Sequence, residues 1–286
     1  MLVSPVPGVD RQHLIAELGE VDRGLQNVRG SNGAPRDRYN AYIRWATASA
    51  TRLGRLVSQA DLERLVQTRI FWSMLSMASL ADVPAVWVPL DAEIERQLVL
   101  IAGSLDEVRA TVDRWSRKGV FVVADTSVYI KHPEKFGEWD LREHAAALAE
   151  PIHLLVPIQV VDELDSLKES RTKPVRWRAG QSLAVMNRIF VGTSFSATLQ
   201  PEDWSAYERG EEGNPRGALS AELLFDPPGH QRLPIADDEI IDRAAAVQAL
   251  AGRQVTLLTY DTGMAMRARA AGLKDVRLDL PPEEDD

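Results

Sequence analysis

The sequence predicts a three-layer α/β/α sandwich with a mainly parallel central sheet, preceded by an all-α N-terminal domain. In the first part of the chain, apolar residues recur at three- and four-residue steps, which is typical of amphipathic helices. Short β-branched runs then alternate with helical stretches. The 286 residues also exceed one average domain. We therefore predict a helical domain over residues 1–118, an α/β domain over 119–280 and an acidic tail over 281–286.

The helical domain is predicted to contain four amphipathic helices. The first begins after Pro35, and the second is capped by Ser58 and ends where Pro84 interrupts the pattern. Two further helices are predicted over 91–102 and 104–118, where apolar residues again fall on one side.

The first part of this domain is locally basic. Residues 29–69 contain eight arginines against three acidic residues, a local net charge of +5. Such a stretch suits RNA phosphates. Its aromatic and methionine residues suit packing, either within the domain or against a second copy of the chain. The domain is therefore predicted either to guide RNA or to form a homo-oligomer.

Four short apolar runs in the second domain are predicted as buried parallel strands. They cover residues 120–124, 154–158, 255–260 and 276–280. Helical stretches lie between them, over 138–150, 160–170, 174–190, 237–252 and 261–272. The stretch over 192–236 is richer in glycine, proline and acids and contains a β-like run at 218–226. We predict that it is an insertion carrying an edge strand or hairpin.

Acidic residues fall where the predicted strands give way to helices. Asp125 and Asp261 directly follow strands, and Glu163 is expected in the first turn of a helix. Asp237 and Asp238 open another helix. Each acid alone is explained by helix capping or by a turn. Because these transitions meet at one edge of a parallel sheet, we expect four carboxylates to converge there.

Carboxylates held close together repel one another, and their pKa values rise unless a cation compensates them. Oxygen ligands without cysteine or histidine select Mg²⁺ or Mn²⁺ over zinc, and the chain contains no cysteine. Such ions activate water and stabilise the departing oxygen in phosphodiester hydrolysis. The acidic pattern therefore predicts a metal-dependent phosphodiesterase.

Four ordered strings in the second domain together resemble the PIN domain, a nuclease family. They read VVADTSVYI, LLVPIQVVDELDSLK, LPIADDEIIDRAAAVQ and VTLLTYDTGMAMRARAAGLK. The resemblance implies the fold predicted above, a Mg²⁺ or Mn²⁺ cofactor and endonucleolytic cleavage of single-stranded RNA by a metal-activated water. The 192–236 insertion and the helical extension depart from a compact PIN domain.

The resemblance also implies which residues form the site. The implied catalytic metal ligands are Asp125, Glu163, Asp238 and Asp261, with Asp237 as second choice at the third position. Asp238 is preferred because its D-x-I-I spacing is closer to the family pattern. One interpretation is that Thr126 or Ser127 orients a water at the metal and that the hydroxyl of Thr259 supports Asp261. The alternative for all three is that they are ordinary turn hydroxyls. We favour the turn interpretation.

A basic segment follows Glu163. Its cations, with Trp177 among them for stacking, are Lys168, Arg171, Lys173, Arg176 and Arg178, and they oppose only Glu169. Cations and an aromatic ring near a metal site suit a single-stranded RNA backbone. The alternative is a solvated loop between helices.

The net charge of −9 does not exclude a nucleic-acid partner, because the tail and residues 202–212 contribute −4 each. No targeting or membrane segment is visible, so a cytoplasmic protein without a membrane partner is expected. We predict a Mg²⁺- or Mn²⁺-dependent ribonuclease. The alternatives are an RNA-binding or scaffolding module with an inactive acidic pocket and a structure-specific DNA nuclease. An inhibitor protein remains open as a partner.

Overall fold

The structure is a computed structural model of the whole chain. It describes residues 3–6, 8–31, 34–81, 83–147, 149–192, 194–209, 215–226 and 230–279. The chain divides into two compact units, one of Met1–Ser116 with Ala249–Gly252 and one of Arg117–Gln248 with Arg253–Asp286. Within the described ranges, no helix combines the length and the apolar character that a membrane crossing requires.

The first unit is helical. Its helices are α1 (Arg11–Arg29), α2 (Pro35–Leu53), α3 (Gln59–Leu65), α4 (Arg69–Ser76) and α5 (Pro84–Arg114), with a 3₁₀ turn at Ala78–Leu80. The prediction did not include α1, although its buried residues recur at helical spacing. They are Leu14, Leu18, Val21, Leu25 and Val28. This apolar face packs mainly against α5 and α2.

The helix boundaries in this unit correct two predictions. The predicted second helix is divided into α3 and α4, because the Thr68 side chain accepts a hydrogen bond from the Phe71 N–H and starts a new helix. The helices predicted over 91–102 and 104–118 are the single helix α5, which continues through Gly103. A glycine lowers helix stability by only about 1 kcal/mol, which the packing of α5 against α1 outweighs.

The basic stretch of the first unit is partly neutralised by acids from other helices. Arg29 pairs with Glu95 at 2.6 Å and Arg38 with Asp91 at 3.3 Å, both acids lying on α5. Arg52 pairs with an acidic residue of α1 at 2.8 Å. The local charge read along the sequence therefore overstates the positive charge that these helices present.

The second unit contains a six-stranded sheet, which confirms the predicted fold class. Its strands are β1 (Val120–Ala124), β2 (Ile152–Pro157), β3 (Ser196–Gln200), β4 (Leu219–Leu224), β5 (Val255–Thr259) and β6 (Lys274–Arg277). Their order is β3-β4-β2-β1-β5-β6, and all neighbours are parallel except β3 and β4. Strands β2 and β5 are buried along their whole length, as continuous apolar runs predict.

Seven helices accompany the sheet among the described residues. They are α6 (Thr126–Lys131), α7 (Arg142–Ala145), α8 (Ile158–Leu167), α9 (Lys173–Ile189), α10 (Ser205–Glu208), α11 (Ala236–Ala251) and α12 (Thr262–Ala270). The helix predicted over 138–150 is reduced to α7, which ends where Ala146 adopts a left-handed conformation.

Two strand predictions are also corrected. The run at 218–226 contains β4, which lies inside the sheet between β2 and β3, so the edge strand is β3. The last strand is β6 rather than a strand at 276–280, since Lys274 already pairs with β5. Residue 280 and the acidic tail lie outside the described residues.

Strands β1, β2, β4 and β5 run in the same direction, so their carboxyl ends share one edge of the sheet. Helices α6, α8 and α12 begin at that edge, directly after β1, β2 and β5. We call it the carboxylate edge, because the predicted acidic residues lie along it.

Candidate active site

Asp125 is the most enclosed of the predicted acidic site residues, with 6% of its surface exposed. Its Oδ1 accepts hydrogen bonds from the Ser127 hydroxyl at 2.6 Å and from the Val128 N–H at 3.2 Å. Its Oδ2 accepts one from the Thr259 hydroxyl at 2.6 Å. Asp125 thereby caps α6 and has a fixed orientation.

The electrostatics of Asp125 favour a cation beside it. Burial raises the pKa of Asp125 above its ordinary value, hydrogen bonds from Ser127, Thr259 and Val128 oppose this shift, and the charge of Asp237 adds to it. A buried carboxylate that also feels the charge of a second acid is stabilised in its charged form by a bound cation.

Asp261 is joined to Asp125 through a shared threonine. The N–H of Asp261 donates to the Thr259 Oγ1 at 2.8 Å, and the same hydroxyl donates to Asp125. The N–H of the residue before Asp261 donates to the Ser127 hydroxyl at 2.9 Å. Asp261 also caps α12, since its Oδ1 accepts from the Met264 N–H at 3.1 Å. The hydroxyls therefore fasten the ends of β1 and β5 to each other.

Glu163 reaches the site from α8. The Thr126 hydroxyl donates a short hydrogen bond to its Oε2, so Glu163 contacts the residue next to Asp125. The predicted position in the first turn of the helix is wrong. Helix α8 begins at Ile158, directly after β2, which places Glu163 in its second turn.

Asp237 and Asp238 differ in their surroundings at the start of α11. Asp238 accepts a hydrogen bond from the Arg267 Nη1 at 2.5 Å, and its charge is partly neutralised by that guanidinium. Asp237 is the neighbour whose charge acts on Asp125. The preference for Asp238 drawn from spacing stays a prediction.

Arg267 is a residue of the site that the sequence analysis did not identify. Its pKa is raised, first by the hydrogen bond to Asp238 and then by the charges of Asp238, Asp237 and Asp261. The guanidinium on α12 therefore contacts Asp238, and its charge interacts with those of Asp237 and Asp261. No spacing signal joins Arg267 to Asp238, because they belong to different helices and are 29 residues apart.

The four predicted ligands do not form a close cluster. Within the described ranges, one group of three metal-ligating residues has its ligand atoms within 4.8 Å of one another: Asp226, His230 and Glu239. Protein partners already hold these residues. Glu239 accepts from the Leu233 N–H at 2.9 Å and lies 2.8 Å from the His230 Nε2, and Arg232 donates to Asp226 at 2.6 Å. The group fastens the segment before α11 and so positions Asp237.

The predicted basic segment keeps much of its charge. Lys168 pairs with Asp165 at 2.6 Å. The Arg176 guanidinium donates to the backbone carbonyl of Ser170 at 3.0 Å, and no carboxylate among the described residues pairs with it. Arg178 likewise donates to the carbonyls of residues 133 and 134, at 2.7 and 2.9 Å. Arg171 and Lys173 are exposed.

Trp177 lies within this basic surface. Its side chain is 52% exposed. The Lys135 Nζ lies 5.7 Å from the ring centroid and the Arg178 guanidinium carbon 5.8 Å from it, both within range of a cation–π contact. An exposed indole flanked by two cations is suited to stack on a nucleobase beside a phosphate.

A mainly parallel sheet with acidic residues along its carboxyl edge defines an open α/β protein of the kind that binds ligands at that edge. The chain belongs to the PIN domain family, whose sequence profile matches residues 122–278, more than half of the 286 residues. The family is one of nucleases, and the second unit has the corresponding nuclease-like fold.

Other comparisons add little to this assignment. No curated protein sequence matches the chain at a significant level. A solved structure described as a domain of a functionally unknown protein from Methanocaldococcus jannaschii DSM 2661 is similar at 16% identity and a TM-score of 0.33. The match covers 58% of this chain and 96% of the other.

Proposed function

We propose that this protein is a metal-dependent endoribonuclease that hydrolyses phosphodiester bonds of single-stranded RNA. The observation that carries the proposal is the linked arrangement at the carboxylate edge. Thr259 bonds Asp125 and the backbone of Asp261, Thr126 bonds Glu163, and the charge of Asp237 acts on Asp125. A PIN domain with this arrangement is best explained as a nuclease site.

The donor set fits a hard divalent cation. We propose that the ligands are Asp125, Glu163, Asp237 and Asp261, with Asp238 held beside them by Arg267. All are carboxylates, the oxygen donors that suit Mg²⁺ and Mn²⁺. Among the described residues these carboxylates do not form a group whose ligand atoms all lie within 4.8 Å of one another, so an ion here would contact some of them through the waters that Mg²⁺ usually retains. When bound, such a cation activates water and neutralises charge on the reacting phosphate.

The surrounding residues have distinct tasks in this proposal. Thr259 holds Asp125 and the backbone of Asp261 in fixed relative positions, and Thr126 orients Glu163. Ser127 fixes the other oxygen of Asp125. The basic segment binds the sugar-phosphate backbone of RNA through its cations, Lys168, Arg171, Lys173, Arg176 and Arg178, and Trp177 stacks on a base.

The first prediction concerns Asp125→Asn and Asp261→Asn. Each removes a charged ligand at nearly constant volume, and we expect Mn²⁺-dependent cleavage of labelled single-stranded RNA to fall at least about 100-fold. Asp203→Asn is the matched control, because Asp203 lies in the connection at the opposite edge of the sheet. Circular dichroism checks that every variant remains folded.

The same assay separates the other functions. Full cleavage by both Asp125→Asn and Asp261→Asn would contradict the proposed site. RNA binding without cleavage in Mn²⁺ would indicate an RNA-binding or scaffolding module. Cleavage of structured DNA with no cleavage of RNA would indicate a DNA nuclease.

A further inference from the structure

Two exposed phenylalanines lie at the carboxylate edge, and no prediction or comparison assigns them a role. Phe195 precedes β3 and Phe225 follows β4, with 41% and 49% of their surfaces exposed. The rings form an edge-to-face pair with centroids 4.7 Å apart. Phenylalanine is among the residues most often buried, and apolar side chains that are exposed side by side can mark a binding surface.

The strand register places the backbone of these two residues close to the level of Asp125. Val123 of β1 pairs with Leu155 of β2, which pairs with Glu222 of β4. Two residues further along their strands, Asp125 and Leu224 therefore lie at the same level of the sheet. Phe225 follows one residue later. Phe195 is held at this end of β4 by a hydrogen bond of 2.8 Å from the Leu223 N–H to its carbonyl.

The distance across the sheet suits a nucleic acid. Strand β2 alone separates β1 from β4, so the ends of β1 and β4 lie about 10 Å apart at the usual strand spacing. A phosphate at Asp125 and the base of a nearby nucleotide can span such a distance. The carboxylate edge thus offers a polar site for the phosphate backbone of a nucleic acid. Two strands away, it offers aromatic rings for a base.

We infer that Phe195 and Phe225 form a base-stacking platform for single-stranded RNA bound at the carboxylate edge. The inference rests on the proposed function, because it takes the phosphate backbone to lie at the acidic residues. Every nucleobase has a π-face, so stacking tolerates any sequence, but only unpaired bases can stack on a protein ring. The platform therefore selects single strands over duplexes.

The second prediction tests this platform by binding, apart from catalysis. The full chain is titrated in Ca²⁺, a hard cation that carboxylate oxygens also bind, with a labelled oligoadenylate, and binding is followed by fluorescence anisotropy. We expect Phe195→Leu with Phe225→Leu to weaken binding about 5- to 150-fold, the range expected for loss of one stacked base. Phe225→Tyr retains an aromatic face and should bind as the wild type does. An oligonucleotide of abasic residues should bind wild type and double variant equally.

Tyr207→Leu is the matched control. Tyr207 is 66% exposed and also forms an edge-to-face pair, with Trp204, but it lies in the connection at the opposite edge of the sheet. We expect this variant to bind the oligoadenylate like the wild type.

Three outcomes would overturn the platform: unchanged affinity in the double variant, an equal loss in Tyr207→Leu, or an equal loss with the abasic oligonucleotide. If RNA is cleaved in Mn²⁺ while the double variant keeps its affinity, the platform fails and the proposed function stands. If the ring-dependent binding is seen without cleavage, the platform stands and the proposed function fails.

Discussion

At the scale of single residues, the site depends on the separate tasks of two adjacent acids. Asp238 shares its charge with Arg267, whereas the charge of Asp237 contributes to the raised pKa of Asp125. A cation bound at Asp125 would relieve the repulsion between Asp237 and Asp125. The charge of Asp238 is already compensated by Arg267. We therefore propose Asp237 as the better ligand, although spacing along the chain favours Asp238.

The third prediction compares Asp237→Asn with Asp238→Asn. We expect Asp237→Asn to weaken Mn²⁺ binding by about 10- to 100-fold or more, because it removes a ligand charge. Asp238→Asn should have a smaller effect, since Arg267 loses its partner but Asp125 keeps its neighbour. Isothermal titration calorimetry of the full chain measures both affinities. If Asp238→Asn loses more Mn²⁺ affinity than Asp237→Asn, the ligand is Asp238, as the D-x-I-I spacing predicts.

At the scale of elements, one glycine determines how the chain enters β1. Gly119 has a φ of +124°, which side chains rarely tolerate. A Cβ at this position would lie 2.4 Å from the carbonyl oxygen of Pro151 and 2.9 Å from the His153 Nε2. The backbone of β1 must approach the start of β2 this closely because Val120 donates its N–H to the same carbonyl, at 2.9 Å.

The fourth prediction concerns Gly119→Ala. We expect the free energy of unfolding to fall by about 1–3 kcal/mol from backbone strain, and further because of the clash with Pro151. Gly180→Ala is the matched control. Gly180 lies inside α9 with open space around it, so alanine there should stabilise by about 0.5–1 kcal/mol. Urea unfolding measures both changes, and equal stability of the two variants would contradict this view of Gly119.

The elements also differ in how well the sequence predicts them. Strands β1, β2 and β5 are evident as apolar runs because both of their faces are buried. Strand β4 is predicted only as part of an insertion, because the stretch around it is rich in glycine, proline and acids, and its own run contains the polar Ser220 and Glu222. Those side chains are satisfied by partners distant in the sequence, His153 and Arg117, which only the folded chain brings near.

At the scale of the whole molecule, buried histidines make stability depend on pH. The pKa of His153 is lowered, chiefly by burial, and so is that of His132. His153 lies between the Lys118 carbonyl at 2.9 Å and the Ser220 hydroxyl at 2.8 Å. The unfolded chain therefore binds protons more readily at these sites than the folded chain does.

The fifth prediction follows from the sign of that difference. The stabilisation from a neutral histidine is complete above its ordinary pKa of about 6.5 and is lost as the pH falls from there through the lowered folded value. We expect the urea midpoint to fall between about pH 7.5 and pH 5.5, and His153→Gln to reduce that fall. His13→Gln changes an exposed histidine and should leave the pH dependence intact. An unchanged pH dependence in His153→Gln would contradict the assignment.

The sequence by itself determined the alternation of strands and helices, the parallel sheet and the placement of Asp125 and Asp261 at its edge. These follow from the local order of apolar and acidic residues, since parallel strands bring every strand-to-helix transition to one edge. Only the tertiary structure decided that the charge of Asp237 acts on Asp125, that Arg267 pairs with Asp238, and that the backbone of Phe195 and Phe225 lies close to the level of Asp125. Those relations join residues on different elements, and their distances depend on packing and strand register rather than on spacing along the chain.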